Sequence, residues 1–514
     1  MTETRQSPTT HREVEKKLRV HALFRLPPLD GIEGIREIRA EPTRTLTAVY
    51  HDTEDLRLFR WGITLRRREG GDDAGWHVKF PVPGEGEGVR DEVRLPLSEG
   101  GVGDVPEAIR DTLTALTREQ FLTPVATLRT ERTPYLISDD SGVPVLELVD
   151  DTVSILDGKH VAARFREIEV EAITPEAAKG ALLPAVVEAL QAAGAIPGTA
   201  SKAATAVGPR ASAPPDVVEA QGVGPGDPAG DAVRAHLTKH IRRFLLQDVR
   251  VRRNLPDSVH QMRVAARRIR SGLRGFGPLV DDKWARHLRD ELGWIAGELG
   301  AVRDTEVMIE RLDERAADLP PDEADLAQTA VDKALNSRIV DARAHALAAL
   351  RSKRHLRLLE DLVEAANEPH LTKAADRSCD EALPPLVDKT WRRLAKDVAE
   401  LHLDSPAAPW HETRIAAKKA RYAAEAVEPV FGRPAKELVK VLEQVTEILG
   451  DHQDAHVAQM TLKSLATEPD VDAPTGFALG LLFGLEVDYE MRLRREFQRM
   501  WPKIAKVHAE TVLA

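Results

Sequence analysis

Apolar and polar residues alternate through the first third of the chain. A period of two is typical of β-strands that bury one face, and eight stretches bounded by Pro, Gly or Asp show it. These stretches lie at about 12–22, 45–51, 63–69, 76–81, 89–95, 125–139, 144–156 and 161–172. Helical periodicity occurs near 106–117 and 175–193. Many strands with few helices predict a barrel or a sandwich.

The pattern changes after residue 206. Pro, Gly and Ala crowd out periodic apolar positions between about 206 and 230, which predicts a flexible linker. Beyond it, Ala, Leu, Arg and Glu recur with helical periodicity to the end of the chain, so we predict a helical bundle.

The helical half repeats itself. HQMRVAARRIR begins at His260 and HETRIAAKKAR at His411, 151 residues later, and both keep a His, two Ala and the basic positions. LGAVRDTEV (299–307) and LGDHQDAHV (449–457) match in Leu, Gly, Asp and Val. We therefore predict two homologous helical units that pack with pseudo-twofold symmetry. Their expected extents are about 229–370 and 371–510.

Composition narrows the class of protein. The chain has 514 residues, a formal net charge of −11 and one cysteine, Cys379. An acidic chain argues against nucleic-acid binding driven by overall charge, and a single cysteine excludes intrachain disulfides and cysteine zinc sites. The N-terminus lacks a signal-peptide core, and the best apolar run, 476–487, is too short to span a membrane. We expect a cytoplasmic protein.

Charged residues follow the same alternation on several predicted strands. In REVEKK, Glu13, Glu15 and Lys17 share one face. Other same-face sets are Arg66 with Arg68, Arg90 with Glu92 and Arg94, and Glu167 with Glu169 and Glu171. A solvated face explains any one such strand. Groups of one sign on four or five strands instead favour a charged ligand together with a metal.

A polyanion such as triphosphate would explain this mixture. Arg and Lys bind phosphate oxygens, and the guanidinium fork suits them especially well. Carboxylates would repel the same anion unless they hold Mg²⁺ or Mn²⁺, hard cations that bridge carboxylate and phosphate oxygens. Glu beside Lys then indicates a metal beside a phosphate.

The motifs also resemble a known family in their order and spacing. They are Glu13-x-Glu15-x-Lys17, Tyr50-His-Asp52-Thr, LRRR at 65–68, WHVK at 76–79, Arg90 with Glu92, EIEVE at 167–171 and SKAA at 201–204. Over residues 11–205 this set resembles the CYTH, or triphosphate tunnel metalloenzyme, family. The resemblance implies an eight-stranded antiparallel barrel around a tunnel, where most members hydrolyse triphosphate compounds with a divalent metal.

The resemblance also implies residue roles. The phosphates would be held by Lys17, Arg66, Arg68, Lys79, Arg90, Arg129, Arg132 and Lys202. Metal binding or orientation of the attacking water would fall to Glu13, Glu15, Glu92, Asp151, Glu169 and Glu171. Lys17, Glu15 and Glu169 would be the catalytic residues. Two alternatives stay open, Asp150 against Asp151 and Glu167 against Glu171, and Glu131 stands between the expected bases of the predicted strand 125–139.

Rows of cations mark the two helical repeats. His260, Arg263, Arg267 and Arg270 fall on one helical stripe, which His411, Arg414, Lys418 and Arg421 repeat. A solvated helix face is the ordinary explanation for one row, but both copies keep the same His and basic positions. Aromatic residues are only 4% of the chain, so a ligand with phosphates and no bases is favoured over nucleic acid.

This half resembles the CHAD, or conserved-histidine α-helical, family over about 229–508. The resemblance implies binding of inorganic polyphosphate by both rows, with Arg303 and Arg354 as further contacts. His452 and His456 lie at i, i+4, which suits either a metal site or, as we prefer, a polar helix face.

Together these features predict an α+β multidomain protein. Its parts are an eight-stranded antiparallel barrel at 1–205, a linker at 206–228 and an all-α bundle of two repeats at 229–514. The leading function is an inorganic triphosphatase using Mg²⁺ or Mn²⁺, whose bundle binds polyphosphate. The alternatives are a non-catalytic protein of polyphosphate granules, or a tunnel enzyme acting on thiamine triphosphate or, as an adenylyl cyclase, on ATP. Neither a membrane nor a specific nucleic acid is an expected partner.

Overall fold

The computed structural model describes residues 9–82, 84–85, 88–198 and 200–510. Residues 1–8, at the start of the predicted domain 1–205, and residues 511–514, at the end of the predicted domain 229–514, lie outside these ranges. The chain divides into two units, Met1–Asp216 and Val217–Ala514, and the division falls inside the stretch predicted to be a linker.

Eight antiparallel strands form the first unit's barrel. The strands of this unit are β1 (Thr9–Val20), β2 (Glu37–Ala40), β3 (Arg44–Asp52), β4 (Thr64–Glu69), β5 (Gly75–Pro81), β6 (Val89–Leu95), β7 (Thr123–Ser138), β8 (Pro144–Asp157), β9 (His160–Ala172) and β10 (Ile196–Pro197). The order β1-β6-β5-β4-β3-β7-β8-β9 closes because β9 also pairs with β1. The structure confirms the predicted barrel. The short strands β2 and β10, which pair with β7 and β1, were not predicted.

Helices cover the outside of the barrel. Those of the first unit are α1 (Arg57–Arg60), α2 (Glu107–Thr117), α3 (Pro175–Lys179), α4 (Leu182–Ala192) and α5 (Lys202–Val207). The single helix predicted at 175–193 is broken near Gly180. Leu183, Val186 and Leu190 of α4 are buried in one cluster with Ile168 and Val170 of β9. Because side chains alternate along a strand, this apolar outer face leaves the charged residues of β9 inside.

The chain after β10 returns to the barrel. Ala203 of α5 and Ala211 are buried with Tyr50, Leu128 and Val153, so apolar side chains fill one end of the interior. A carboxylate oxygen of Asp216 accepts a hydrogen bond from the Trp61 indole at 2.8 Å, and the other forms an ion pair with Arg118. The first part of the predicted flexible linker is therefore attached to the barrel.

The second unit is helical. Its helices are α6 (Ala229–Arg252), α7 (Ser258–Gly275), α8 (Asp282–Glu298), α9 (Gly300–Ala316), α10 (Pro321–Leu350), α11 (Lys353–Asn367), α12 (Cys379–Ala382), α13 (Pro384–Ala399), α14 (Ala407–Phe431), α15 (Arg433–Ala466) and α16 (Ala473–Glu510). Helices α7 and α14 carry the two predicted rows of cations and pack against each other. No helix in the described part of the chain is long and apolar enough to cross a membrane.

Candidate functional site

Charged side chains line a cavity of about 330 Å³ inside the barrel. Ten of the predicted tunnel residues reach it: Glu13, Glu15, Lys17, Arg66, Arg68, Lys79, Arg132, Glu169, Glu171 and Lys202. Alternation on five strands turns these side chains inward, and Ser201 caps α5 so that Lys202 enters from the filled end. The structure thus collects both signs of charge around one space.

Adjacent strands β1 and β9 form an acidic wall. Glu15 lies directly across the ladder from Glu171, and Glu13 is on the same face of β1. Burial and the nearby Glu13 carboxylate raise the pKa of Glu171 to about 8. Glu171 has no ion-pair partner among the described residues. A positive charge placed here would relieve the repulsion between these carboxylates.

Three lysines stand between the other acids. Lys17 Nζ is 3.0 Å from Glu15 and 3.4 Å from Glu169, while Lys79 Nζ is 2.6 Å from Glu13. Lys202 Nζ is 2.8 Å from Glu169. Burial opposes charge on Lys17, but Glu15 and Glu169 overcome it and raise the pKa of Lys17. Carboxylates likewise outweigh burial and raise the pKa of Lys202, so Lys17 and Lys202 are positively charged at neutral pH.

Arginines from β4 and β7 form the facing basic wall. Although burial opposes charge, Asp151 and Glu169 raise the pKa of Arg132, which donates to both carboxylate oxygens of Asp151 at 2.9 and 2.6 Å. Arg68 forms an ion pair with Asp73, and burial together with the neighbouring Arg66 and Arg132 lowers its pKa to about 9. Crowded cations of this kind are stabilised by an anion.

The structure decides between the residues that the sequence left open. Asp151 is fully buried inside with Arg132 and Lys202, whereas Asp150 faces the other way and pairs with Arg166. Glu167 and Glu171 both point inward, since Glu167 Oε1 is 2.6 Å from Lys202 Nζ while Glu171 lines the cavity.

Besides Asp151, the predicted tunnel residues Arg129, Arg90 and Glu92 do not line the cavity itself. Arg129 is exposed on the outer face of β7, because it is three positions from the inward-facing Arg132 and so has the opposite orientation. Arg90 donates to the carbonyl oxygen of Gly62 at 2.6 Å. Glu92 is fully buried beside the cavity, where it accepts a hydrogen bond at 2.9 Å from His77 and lies 3.6 Å from the cavity-lining Arg66. The prediction that Arg129 lines the tunnel is thus corrected.

In the second unit, α7 and α14 bring most of the predicted cations together. We call the following residues the basic cluster, since their charges act on one another: His260, Arg263, Arg267, Arg303, Arg414, Lys418 and Arg421. Burial and the nearby Arg414 and Arg267 lower the pKa of Lys418 to about 7. The described part of the chain offers Arg267, Arg414 and Lys418 no ion-pair partner. The barrel differs, because most of its cations form ion pairs with carboxylates.

Other predicted contacts do not join the basic cluster. Arg354 is bound to Glu291 at 2.7 and 3.0 Å and lies over the Trp294 ring, because α11 packs on α8. Arg270 lies over Gly293 of α8, and His411 contacts Gln453 at 2.6 Å.

His452 is buried in the helical core, so the preferred prediction of a polar helix face is wrong for this residue. Its Nε2 lies 3.2 Å from Glu490 and 3.1 Å from Arg494, and its ring stacks on Trp410. His456 is 3.9 Å from the same Glu490 carboxylate. Hydrogen bonding in the helical core accounts for the buried imidazole.

Comparison with known proteins assigns both units. The CYTH domain family matches residues 11–191 and the CHAD domain family matches residues 235–463. The uncharacterized protein MT2285 of Mycobacterium tuberculosis (strain CDC 1551 / Oshkosh) is 33% identical over 528 residues, covering 97% of each chain. The chain belongs to the CYTH and CHAD families.

Two solved structures are also similar to part of the chain. PptA from Streptomyces chartreusis is 28% identical with a TM-score of 0.47, covering 54% of this chain and 100% of its own. The CHAD domain from the plant Ricinus communis is 26% identical with a TM-score of 0.45, covering 56% of this chain and 95% of its own.

CYTH proteins are triphosphatases or cyclases that bind triphosphate substrates and use divalent metal ions.

The CYTH cavity contains residues to which the sequence analysis assigned no role. Tyr50, His11, Arg94 and Glu147 line it. Burial opposes ionisation of Tyr50, yet the adjacent Arg66 guanidinium lowers the pKa of its phenol. Tyr50 belongs to one of the family motifs and Arg94 shares its face with Glu92, so the sequence carried a signal for both. Glu147 carried none, because only strand pairing places it across from Glu171.

The acidic wall fits a divalent cation by its chemistry. Glu13, Glu15 and Glu171 supply the carboxylate oxygens that hard cations prefer, and Glu171 lacks a compensating charge. In the described residues no three carboxylate, imidazole or thiol groups meet as a metal site. The ammonium groups of Lys17 and Lys79 separate the carboxylates, so phosphates that drew these lysines away would free oxygens for the cation.

Proposed function

We propose that the CYTH barrel is a divalent-metal-dependent triphosphatase that hydrolyses inorganic tripolyphosphate, and that the CHAD unit binds inorganic polyphosphate. The observation that carries the proposal is the cavity with an acidic wall facing a basic wall. A triphosphate would accept hydrogen bonds from the arginines, and a divalent cation would bind the carboxylates. Neither ligand alone would neutralise both walls.

The cavity residues would have separate roles in hydrolysis. Arg66, Arg68 and Arg132 hold phosphate oxygens and stabilise charge on the departing phosphate. Lys17, held between Glu15 and Glu169, moves from carboxylate to phosphate when substrate arrives. Glu15 and Glu169 then orient the attacking water. A divalent cation at the acidic wall would neutralise the triphosphate and lower the pKa of that water.

Substrate class follows from the cavity lining. Tyr50 is the only Phe, Tyr or Trp among the described residues that line it, and Ala172 and Ile173 are its only apolar members. Nucleobases and thiamine rings require apolar or aromatic surface for binding. A cavity lined mostly by charged side chains therefore supports inorganic tripolyphosphate over ATP or thiamine triphosphate.

Polyphosphate binding by the CHAD unit has separate support. The basic cluster leaves Arg267, Arg414 and Lys418 without ion pairs in the described part of the chain. Phosphate chains carry one negative charge on each repeating unit, which matches a row of cations better than an isolated anion does. The scarcity of exposed aromatic groups beside the cluster favours a ligand without bases.

One assay tests the enzymatic part. Phosphate release would be measured from tripolyphosphate, ATP, thiamine triphosphate and long polyphosphate with Mg²⁺ or Mn²⁺. Tripolyphosphate should be cleaved fastest, and Glu15→Gln should abolish the activity while the matched variant Glu131→Gln, on the outer face, retains it. Equal rates for wild type and Glu15→Gln on all four substrates would refute the proposal.

A second assay tests binding. Long polyphosphate would be titrated into the full chain, and Arg267→Gln compared with Arg286→Gln, an exposed arginine of α8 paired with Asp282. Only Arg267→Gln should weaken binding. An unaltered affinity would show that the basic cluster is not the binding site.

A further inference from the structure

Tyr422 lies among the arginines of the basic cluster. Its ring centroid is 5.0 Å from the guanidinium carbon of Arg421, 5.6 Å from that of Arg267 and 5.7 Å from that of Arg268. The residue is only 5% exposed. The negative face of the ring attracts each of these guanidinium groups, which partly offsets their mutual repulsion.

The hydroxyl of Tyr422 is buried and has no hydrogen-bond partner among the described residues. Buried tyrosine hydroxyls are normally hydrogen-bonded, because burying an unpaired polar group destabilises the folded protein. Guanidinium groups only donate, so none of the surrounding arginines can accept the phenol proton. Glu425, one turn further on, is occupied by Arg268 and by Arg421, whose Nε is 3.4 Å away. The missing partner is therefore an acceptor.

Neighbouring groups lack acceptors in the same way. The buried Nε atoms of Arg267 and Arg414 also have no hydrogen-bond partner in the described ranges. An anion with several acceptor oxygens would satisfy such neighbouring donors, and a phosphate group has them. We propose that Tyr422 binds polyphosphate directly, donating its hydroxyl hydrogen to a non-bridging phosphate oxygen while its ring positions Arg267 and Arg421.

This contact breaks the symmetry of the two repeats. The residue 151 positions earlier, at the equivalent place on α7, is Ser271, which has no ring. The proposed hydrogen bond therefore belongs to the α14 side alone. One phosphate of the chain is held by a phenol as well as by cations, which makes the α14 side the tighter part of the row.

The inference rests on the proposed binding of polyphosphate, and Tyr422→Phe tests it because this change removes only the hydroxyl. Titration of the full chain with long inorganic polyphosphate should show roughly tenfold weaker binding, as expected for one hydrogen bond to a charged group. The salt dependence of the affinity should not change, because no charge is lost. Arg267→Gln should instead reduce both the affinity and its salt dependence.

Tyr489 supplies a matched control. Its ring is also surrounded by guanidinium groups, those of Arg311, Arg315 and Arg492 at 5.3, 4.0 and 5.5 Å, but its hydroxyl donates to Asp451 at 3.5 Å. Tyr489→Phe should bind polyphosphate like wild type.

The results distinguish a failure of the Tyr422 contact from a failure of polyphosphate binding by the CHAD unit. If wild type binds polyphosphate and Tyr422→Phe binds equally well, the inference is overturned and the binding function stands. If both Tyr→Phe variants lose affinity to the same extent, the specific contact is also overturned. Failure of wild type to bind at all would refute the binding function itself. Thermal unfolding of ligand-free Tyr422→Phe should occur at or above the wild-type temperature, since the change removes a buried hydroxyl that has no partner among the described residues.

Discussion

Lys418 provides a test in which binding and folding respond in opposite directions. Burial together with the like charges of Arg414, Arg267 and Arg421 lowers its pKa from the usual 10.5 to about 7. A lowered pKa means that the folded protein binds this proton more weakly than the unfolded chain does. Replacing Lys418 with Gln should therefore stabilise the ligand-free protein and weaken polyphosphate binding.

The magnitude follows from the shift. At about 1.4 kcal/mol for each pKa unit, the full difference corresponds to about 4 kcal/mol at pH 7, and solvent screening of this half-buried side chain reduces it to about 2 kcal/mol. The destabilisation of the folded protein by charged Lys418 is fully present below pH 7. It disappears as the pH rises from 7 toward 10.5, because the unfolded chain binds more protons than the folded protein in that range. Wild-type stability should thus rise with pH there, and the variant should lack this slope.

Urea unfolding followed by circular dichroism at 222 nm would measure the effect, since helices dominate the signal. Lys440→Gln on α15 is the control, because Lys440 is exposed and should change stability by less than about 0.5 kcal/mol. Polyphosphate titration of the same samples should show roughly fivefold to tenfold weaker binding by Lys418→Gln. A Lys418→Gln protein that is less stable than wild type at pH 7 would refute the idea of cations held together against their repulsion.

Three further predictions concern the barrel. Glu171→Gln should stabilise the metal-free protein by about 2 kcal/mol at pH 8, because a carboxyl with a raised pKa costs stability as the pH rises from 4.5 to 8; it should also remove the protection that Mg²⁺ gives against thermal unfolding. Arg132→Gln should lower kcat/KM for tripolyphosphate at least tenfold, whereas Arg129→Gln on the outer face of the same strand should leave it unchanged. Asp216→Ala should lower the stability of the barrel by about 2 kcal/mol and alter the fluorescence of Trp61, because the buried Arg118 loses a carboxylate; unchanged unfolding would mean that the segment is not anchored there.

Alternation predicted the barrel strands because it depends on nothing beyond one strand. All eight were placed along the chain, and parity alone assigned Glu13, Glu15 and Glu169 to the inner face. The same rule applied to β7 would have rejected Arg129, whose position relative to Arg132 is odd. The short strands β2 and β10 have too few residues for a period to be recognised.

Pairing between distant strands was not predictable in the same way. Only the register of β1 on β9 shows that Glu15 meets Glu171. The choice of Asp151 over Asp150 depends on Arg132 and Arg166, which come from neighbouring strands on opposite faces. In the CHAD unit, the sequence repeat was enough to identify both rows of cations. It could not show that α11 packs on α8, where Arg354 forms an ion pair with Glu291.

Closure of the barrel has a consequence for how this protein can evolve. Every strand of the ring is bonded on both sides, so none can slide without its two neighbours. Deleting one residue within β1 would exchange its faces, bringing Val14 and Leu18 into the cavity and turning Glu13 and Glu15 outward. Substitution can therefore tune the charges one at a time, whereas changes in length are confined to the connections between strands.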